Sequence, residues 1–411
     1  MSAAIIAAAL NVGLPQRSFG LYVQGLDVMR QPVAGGNVYG VAAESIEVIE
    51  RHPGRVGGMA FVIDDPQANC PLPVAGDVVR LQRLTSPTNG SLVQVPYFLG
   101  FVDTVTIEPE PAPGRTITVE CVGAEISLDW AKHPGAAFPA SASSGAGAAA
   151  VQMLAATCVD GTALPLRAFA GALTAGGQNQ PVGQLGSGGM SACVVPAGSS
   201  LRDAIQIVLD AAKSAFPLQQ IYSGLWCTVD RWGGLRAWAR DLDGAAQPND
   251  YALLTVDNTS ATEVHTAGLK HTTEARPRSA YVRGPTAAAS GLVTRGTGVP
   301  GETAVVFDSD ATTPADRANP ELARQQVAGR GTFSIETWDI AGTDYLGANQ
   351  WRSNIRSAEP GSFASITDPI VGLAAAKYVI GELRKTFTGT TETWDVTYGN
   401  LPPSIVAAIA H

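Results

Sequence analysis

From Ser45 to about Trp130 the hydrophobic pattern is that of strands, with apolar residues at alternate positions in several segments. Ile46 to Arg51 and Val56 to Ile63 flank His52-Pro53-Gly54-Arg55, where Pro followed by Gly suits a type II turn. Val79 and Leu81 alternate with Arg80 and Gln82, and Tyr97 to Val102 is an apolar run broken by Gly100. Ile117, Val119 and Cys121 then alternate with Thr116, Thr118 and Glu120. The whole stretch reads as β.

The pattern changes over residues 131–198. Small residues dominate Ser141 to Gly147 and Gly186 to Gly189, which read as linkers or surface loops around a short helix near Ala148 to Thr157. Ser200 then offers an N-cap, with Asp203 as the acid of a capping box. Leu201, Ala204, Ile205, Val208, Leu209 and Ala212 follow the spacing of one helix face, and Pro217 ends the pattern. Strands are expected at Leu225 to Val229 and Leu235 to Ala239, joined across Gly233-Gly234. A second short helix is expected at Pro320 to Ala328, capped by Asn319 and closed by Gly329. From Thr332 the β pattern returns. Leu373, Ala376, Ile380 and Leu383 also fit helical spacing, so that segment stays open between strand and helix.

The early and late β segments echo one another. Gly76, Val79 and Leu81, Leu99-Gly100-Phe101-Val102, then Ile117, Val119 and Cys121 follow one order. Gly361, Phe363 and Ile366, Ile380-Gly381-Glu382-Leu383, then Trp394, Val396 and Tyr398 follow the same order with shorter loops. Loops are where length changes are tolerated, so the echo reads as a duplicated β-module.

Composition narrows the function. The 411 residues suffice for two to four domains, and 45% hydrophobic with 15% charged indicates a folded chain. Forty-five glycines and 27 prolines favour short strands joined by turns. The net charge of −9, without a basic run, argues against specific nucleic-acid binding, which needs clustered Lys and Arg. The five cysteines, Cys70, Cys121, Cys158, Cys193 and Cys227, are odd in number and widely spaced, so reduced thiols are expected and no metal. The apolar start, Met1 to Leu10, lacks basic residues and is too short to span a bilayer. No membrane segment is expected, and synthesis in the cytoplasm is.

Several patterns fail in their context. Gly296-Thr297-Gly298-Val299-Pro300-Gly301 satisfies G-x-G-x-x-G, but Glu302 stands where a phosphate loop needs Lys. Ala304 to Phe307 then reads as strand rather than helix, so Pro300 and the glycines are expected in a turn. Asp241-Leu242-Asp243-Gly244 starts like a calcium loop but lacks its later acids. His52, His133, His265, His271 and His411 form no metal motif. No Ser carries glycines at both −2 and +2, so a nucleophile elbow is absent. Trp226, Trp238 and the intervening Trp232 could form a sugar platform, although packing around a hairpin is the simpler reading. Paired carboxylates for glycan hydrolysis stay open, since they need not be close in sequence. No catalytic, cofactor-binding or metal residues are assigned, and no cofactor is expected.

Ala75-Gly76-Asp77-Val78-Val79, Tyr97-Phe98-Leu99-Gly100-Phe101-Val102 and Thr118-Val119-Glu120-Cys121-Val122-Gly123 resemble the tube-like modules of bacteriophage tail-tip hub, or minor tail, proteins, a family related to contractile-tail hubs. Trp394-Asp395-Val396-Thr397-Tyr398-Gly399-Asn400-Leu401-Pro402-Pro403 is similar to the end of such a module. The resemblance implies a mainly β fold with an α+β middle, in which two small tube-like barrel or sandwich modules flank an α+β region. The expected division is 1–130 for the first module, 131–260 for a loop-rich linker and α+β domain, 261–330 for a connecting region, and 331–411 for the second module. It further implies a non-enzymatic subunit of the virion tail tip that joins the tail tube or a distal tail protein to tip or fibre proteins. Two modules per chain and the six-fold tube of the family imply a trimer closing a ring, with residues 131–330 mostly outside it. DNA would pass through that channel without being held, which the acidic balance suits. A receptor- or glycan-binding tail protein is the alternative, and a tail-borne hydrolase a further one.

Overall fold

The structure is a computed structural model. It describes residues 18–29, 39–41, 43–51, 57–85, 93–110, 113–142, 146–147, 149–150, 153–154, 190–213, 225–229, 231, 235–239, 253–259, 267–272, 277–294, 299–307, 330–337, 360, 363–387 and 392–399. The expected turn at 52–55, the helix at 320–328, Asp241 to Gly244 and the Gly186 to Gly189 stretch lie outside these residues.

The first half supplies β1 (Ser18–Val23), β2 (Leu26–Asp27), β3 (Gly40–Val41), β4 (Glu47–Arg51), β5 (Gly58–Asp65), β6 (Val78–Thr85), β7 (Val93–Pro109) and β8 (Arg115–Gly123). The middle supplies β9 (Ala136–Phe138), β10 (Cys193–Val195), β11 (Leu225–Val229), β12 (Leu235–Ala239), β13 (Leu253–Asp257), β14 (Ala267–Thr272), β15 (Pro277–Arg283), β16 (Gly291–Thr294) and β17 (Val299–Phe307). Then come β18 (Arg330–Thr337), β19 (Phe363–Asp368), β20 (Leu373–Phe387) and β21 (Glu392–Gly399). The protein is mainly β, and the segment open between strand and helix is β20. Its apolar residues serve a strand because Ile380 and Leu383 straddle a bulge, which shifts the alternation by one and mimics helical spacing.

A single 14-stranded sheet runs through both halves, and β13 and β14 from the middle of the chain join it. Its two parts repeat one strand order. In the first, the neighbours run β4-β5-β8-β7-β6-β1; in the second, β14-β18-β21-β20-β19-β13. Corresponding strands follow the same sequence order, and each corresponding pair is antiparallel except at the last step. There β1 lies antiparallel to β6, whereas β13 lies parallel to β19.

The registers fix the correspondence residue by residue. On β7 the ladder to β8 shifts between Val102 and Thr104; on β20 the ladder to β21 shifts between Ile380 and Glu382. Aligning the two bulges sets Ile117, Val119 and Cys121 against Trp394, Val396 and Tyr398, as the sequence echo has them. It also sets Phe61 and Ile63 of β5 against Phe333 and Ile335 of β18. All ten apart from Cys121 are no more than 2% exposed, and they share one core. Gly381, however, corresponds to the bulge residue Asp103 and not to Gly100, so the glycine pairing in the echo is displaced.

A second core forms beneath the first half. The helix Leu201–Lys213 buries Leu201, Ala204, Ile205 and Val208 completely against Leu128, Val195 and Leu99. Ser200 Oγ accepts the Asp203 N–H at 3.1 Å and donates to Asp203 Oδ2 at 2.7 Å, the cap that starts this helix. Arg202 ties the helix to the Ser127–Trp130 turn through Asp129 at 2.6 Å and the Glu125 carbonyl at 2.8 Å. Helical backbone also occurs at residues 146–147, 149–150 and 153–154, where Ala150 and Leu154 are buried in the same core.

Candidate functional site

The two parts of the large sheet meet where β4 pairs antiparallel with the far half of β20, from Glu382 opposite Arg51 to Thr386 opposite Glu47. This seam joins strands more than 300 positions apart in the chain. Charges line it on both faces. On one, Arg51 meets Glu382 at 3.2 Å and Arg384 meets Glu47 at 2.7 Å, with the arginines exposed and the carboxylates part-exposed. Such pairs fix register more than they stabilise.

The other face is buried. Lys385, fully enclosed, donates to Glu50 Oε2 at 2.6 Å, and Arg231 donates to both oxygens of the same carboxylate, Nη2 reaching Oε2 at 2.6 Å. The Lys385 ammonium also lies 4.6 Å from the Trp394 ring centroid and 5.4 Å from that of Tyr97. Tyr97 and Trp394 in turn donate to the buried Glu392, at 3.1 Å and 3.2 Å to its Oε2. Burial opposes ionisation of Glu50, but Arg231 and Lys385 together outweigh it and hold the carboxyl below its usual range.

Glu50 and Glu125 both line a cleft with Phe98, Leu99, Val229 and Arg231. Burial pushes the Glu125 carboxyl up, against the Gly57 N–H that it accepts at 2.8 Å. One raised and one lowered carboxyl is the electrostatic pattern of an acid–base pair. Structural ion-pair networks produce the same pattern. Both oxygens of Glu50 accept from cations, three bonds in all from Arg231 and Lys385, as in an ion-pair network. The arrangement does what a structural lock does.

The motifs weighed in the sequence scatter. Pro300 and Gly301 lie inside β17 and not in a turn, which corrects the expectation. The ladder between β15 and β17 passes from Pro277 opposite Val299 to Ser279 opposite Thr303, so the Pro sits in a bulge that needs no N–H from it. Trp226 and Trp238 stand directly opposite on the β11–β12 hairpin, while Trp232 lies outside the described residues. His133 is buried, accepts the Gly135 N–H at 2.9 Å and is held below its usual pKa by that burial. His271 stacks on Tyr398, and the other three histidines lie outside the described residues. Among the described residues no group of His, Cys, Asp or Glu could hold a metal, and no helix is long and apolar enough to cross a membrane.

No protein-family model matches the sequence, and neither does any curated protein sequence. Solved structures do match. A tail protein from Neisseria meningitidis MC58 superposes with a TM-score of 0.56 at 12% identity, covering 93% of this chain and 96% of that one. The 43 kDa tail protein of prophage MuSo2 from Shewanella oneidensis gives 0.55 at 11% identity, covering 93% and 98%. The chain shares the fold of these tail proteins. The likeness spans nearly the whole of each chain. No signal in the sequence pointed to the seam itself. Glu50 and Lys385 are single charges in alternating strands, where solvent exposure is the default.

Proposed function

We propose that this chain is a structural, non-enzymatic subunit of a phage tail tip or baseplate hub. Three copies form a ring around the DNA exit channel and join the tail tube to distal tip proteins. The observation that carries the reading is the repeated strand order: each chain presents two similar strand sets already coupled edge to edge through β4 and β20. Three such chains offer six similar positions to a six-fold tube. The whole-chain likeness in fold to two tail proteins supports the same reading. So does the net charge of −9, since DNA moving through an acidic ring meets little to hold it. The engagement of Glu50 by two cations at the seam is consistent with a structural role.

Isolating the particle that contains this chain and imaging its tail tests the proposal. The expected result is three copies in one ring at the end of the tube. Localisation to peripheral fibres, with purified chain binding host wall glycan, would favour the receptor-binding alternative instead. Clearing of that wall by the purified chain would favour a hydrolase.

A further inference from the structure

The seam inside the chain has a counterpart that is not made among the described residues. Each strand set has a first strand on one flank (β4 or β14) and a long strand whose far half runs past its neighbour (β7 or β20). Within the chain, β4 of the first set pairs with the far half of β20 in the second. That leaves β14 of the second set, and the far half of β7 from Asp103 to Pro109 in the first. Among the described residues, β14 pairs on one side only, with β18, and the far half of β7 on one side only, with β8.

The β7 edge leaves an apolar side chain exposed. Ile107 stands directly opposite Ile117, so it points to the core face, where Ile117 is fully buried. Yet Ile107 is 45% exposed. Its counterpart Lys385, opposite Trp394 on β20, is fully buried even though it carries a charge. One difference between them is β4, which pairs beside Lys385 and has no equivalent beside Ile107 among the described residues.

We infer that β14 of one copy pairs antiparallel with Asp103–Pro109 of the next, and that this contact closes the ring. The inference rests on the hub reading and names the surface by which a second copy binds. The registers already given set the pairing. Lys385 faces Val48 and Thr386 faces Glu47 across the internal seam. Carried to the other edges, Ile107 faces His271 of the next copy and Glu108 faces Lys270. Charge complementarity follows without adjustment, since Lys270 and Glu108 are both exposed and of opposite sign. Head-to-tail contacts of this kind form closed rings, and closure leaves neither edge open to irregular pairing.

The test is a cysteine pair at the facing positions, Glu108→Cys with Lys270→Cys in the full chain, under mild oxidation. The double variant should give covalent trimers on denaturing electrophoresis, and neither single variant should. Independently, Glu108→Lys should weaken assembly roughly tenfold, and adding Lys270→Glu should restore it. A native trimer whose double-cysteine variant cross-links no more than the singles would overturn this inference and leave the ring standing. A wild-type chain that is not trimeric in isolated tails would overturn the ring and the inference together.

Discussion

Lys385 of β20 and Glu50 of β4 meet at 2.6 Å with the lysine side chain wholly enclosed, although they are 335 positions apart. Nothing in the interior favours burying a charge alone, so each depends on the other. Lys385→Met keeps the volume and the contact with Trp394 but leaves Glu50 with Arg231 only. Removing one partner of a buried pair costs about 3–5 kcal/mol, and the remaining arginine puts this case at the low end. Equilibrium urea unfolding should show that loss, with the slope unchanged. Lys385→Met combined with Glu50→Gln should recover part of it.

The two glycines that the sequence set side by side should respond differently to Ala. A Cβ on Gly100 would lie 2.1 Å from the Val122 carbonyl oxygen and 2.6 Å from the Phe98 ring, so β7 and β8 would have to part. At Gly381 the nearest atom is the Thr397 carbonyl oxygen at 3.6 Å, an ordinary contact. Gly100→Ala should cost about 1–3 kcal/mol or more, as overpacking does. Gly381→Ala should change stability by less than about 0.5 kcal/mol. Thermal unfolding of the two variants checks both, and equal losses would contradict the registers.

How much of this was legible beforehand divides along a physical line. The β pattern marked β5 to β8, β18, β19 and β21, while β20 stayed open because its bulge mimics helical spacing, and the capping box at Ser200 and Asp203 marked the start of the helix. Those signals are local. The order Ile117, Val119, Cys121 against Trp394, Val396, Tyr398 was also readable, since both strands face one core. The strand partners were not. That β4 joins β20, and that β13 and β14 enter the large sheet, are long-range pairings which no window of sequence encodes. Pro300 misled for the opposite reason: Pro and Gly signal a turn, but a bulge at a strand start accepts both. Charges at Glu50, Arg231 and Lys385 carry no local sign of burial, because burial of a charge depends on partners far away in the chain.

The thiols should resist modification in the folded chain. Burial pushes Cys70 up to about 11 and raises Cys121 and Cys193 as well, so little thiolate exists at neutral pH. These three are free in the structure, and Cys121 sits in the core opposite Val102 and Met59. A thiol reagent should label Cys70 and Cys121 slowly in the native protein, and all five cysteines after unfolding without reductant. Rapid native labelling of Cys121, identified by peptide mass, would contradict the packing described.

Stability should change with pH in two opposed steps, because Glu50 and Glu125 are shifted in opposite directions from an ordinary value of 4.5. Glu125 is raised, chiefly by burial, so its ionised form is worse placed in the folded chain than in the unfolded one. That penalty is absent below pH 4.5, grows as pH rises, and is complete above its raised value. Glu50 is lowered because two cations outweigh its burial, so it stabilises the fold above pH 4.5 and loses that contribution as pH falls through its depressed value. As pH drops from neutral, the Glu125 penalty is therefore relieved first and the Glu50 contribution fails later. Between those events these two groups place a stability maximum on the acid side of neutral. Glu125→Gln keeps an oxygen for the Gly57 N–H and removes the ionisation. The variant should be more stable than wild type at neutral pH, and the two should converge as pH approaches 4.5. Denaturant titrations at intervals from neutral pH down to that point read the difference directly, and a gap independent of pH would rule out Glu125 as its source.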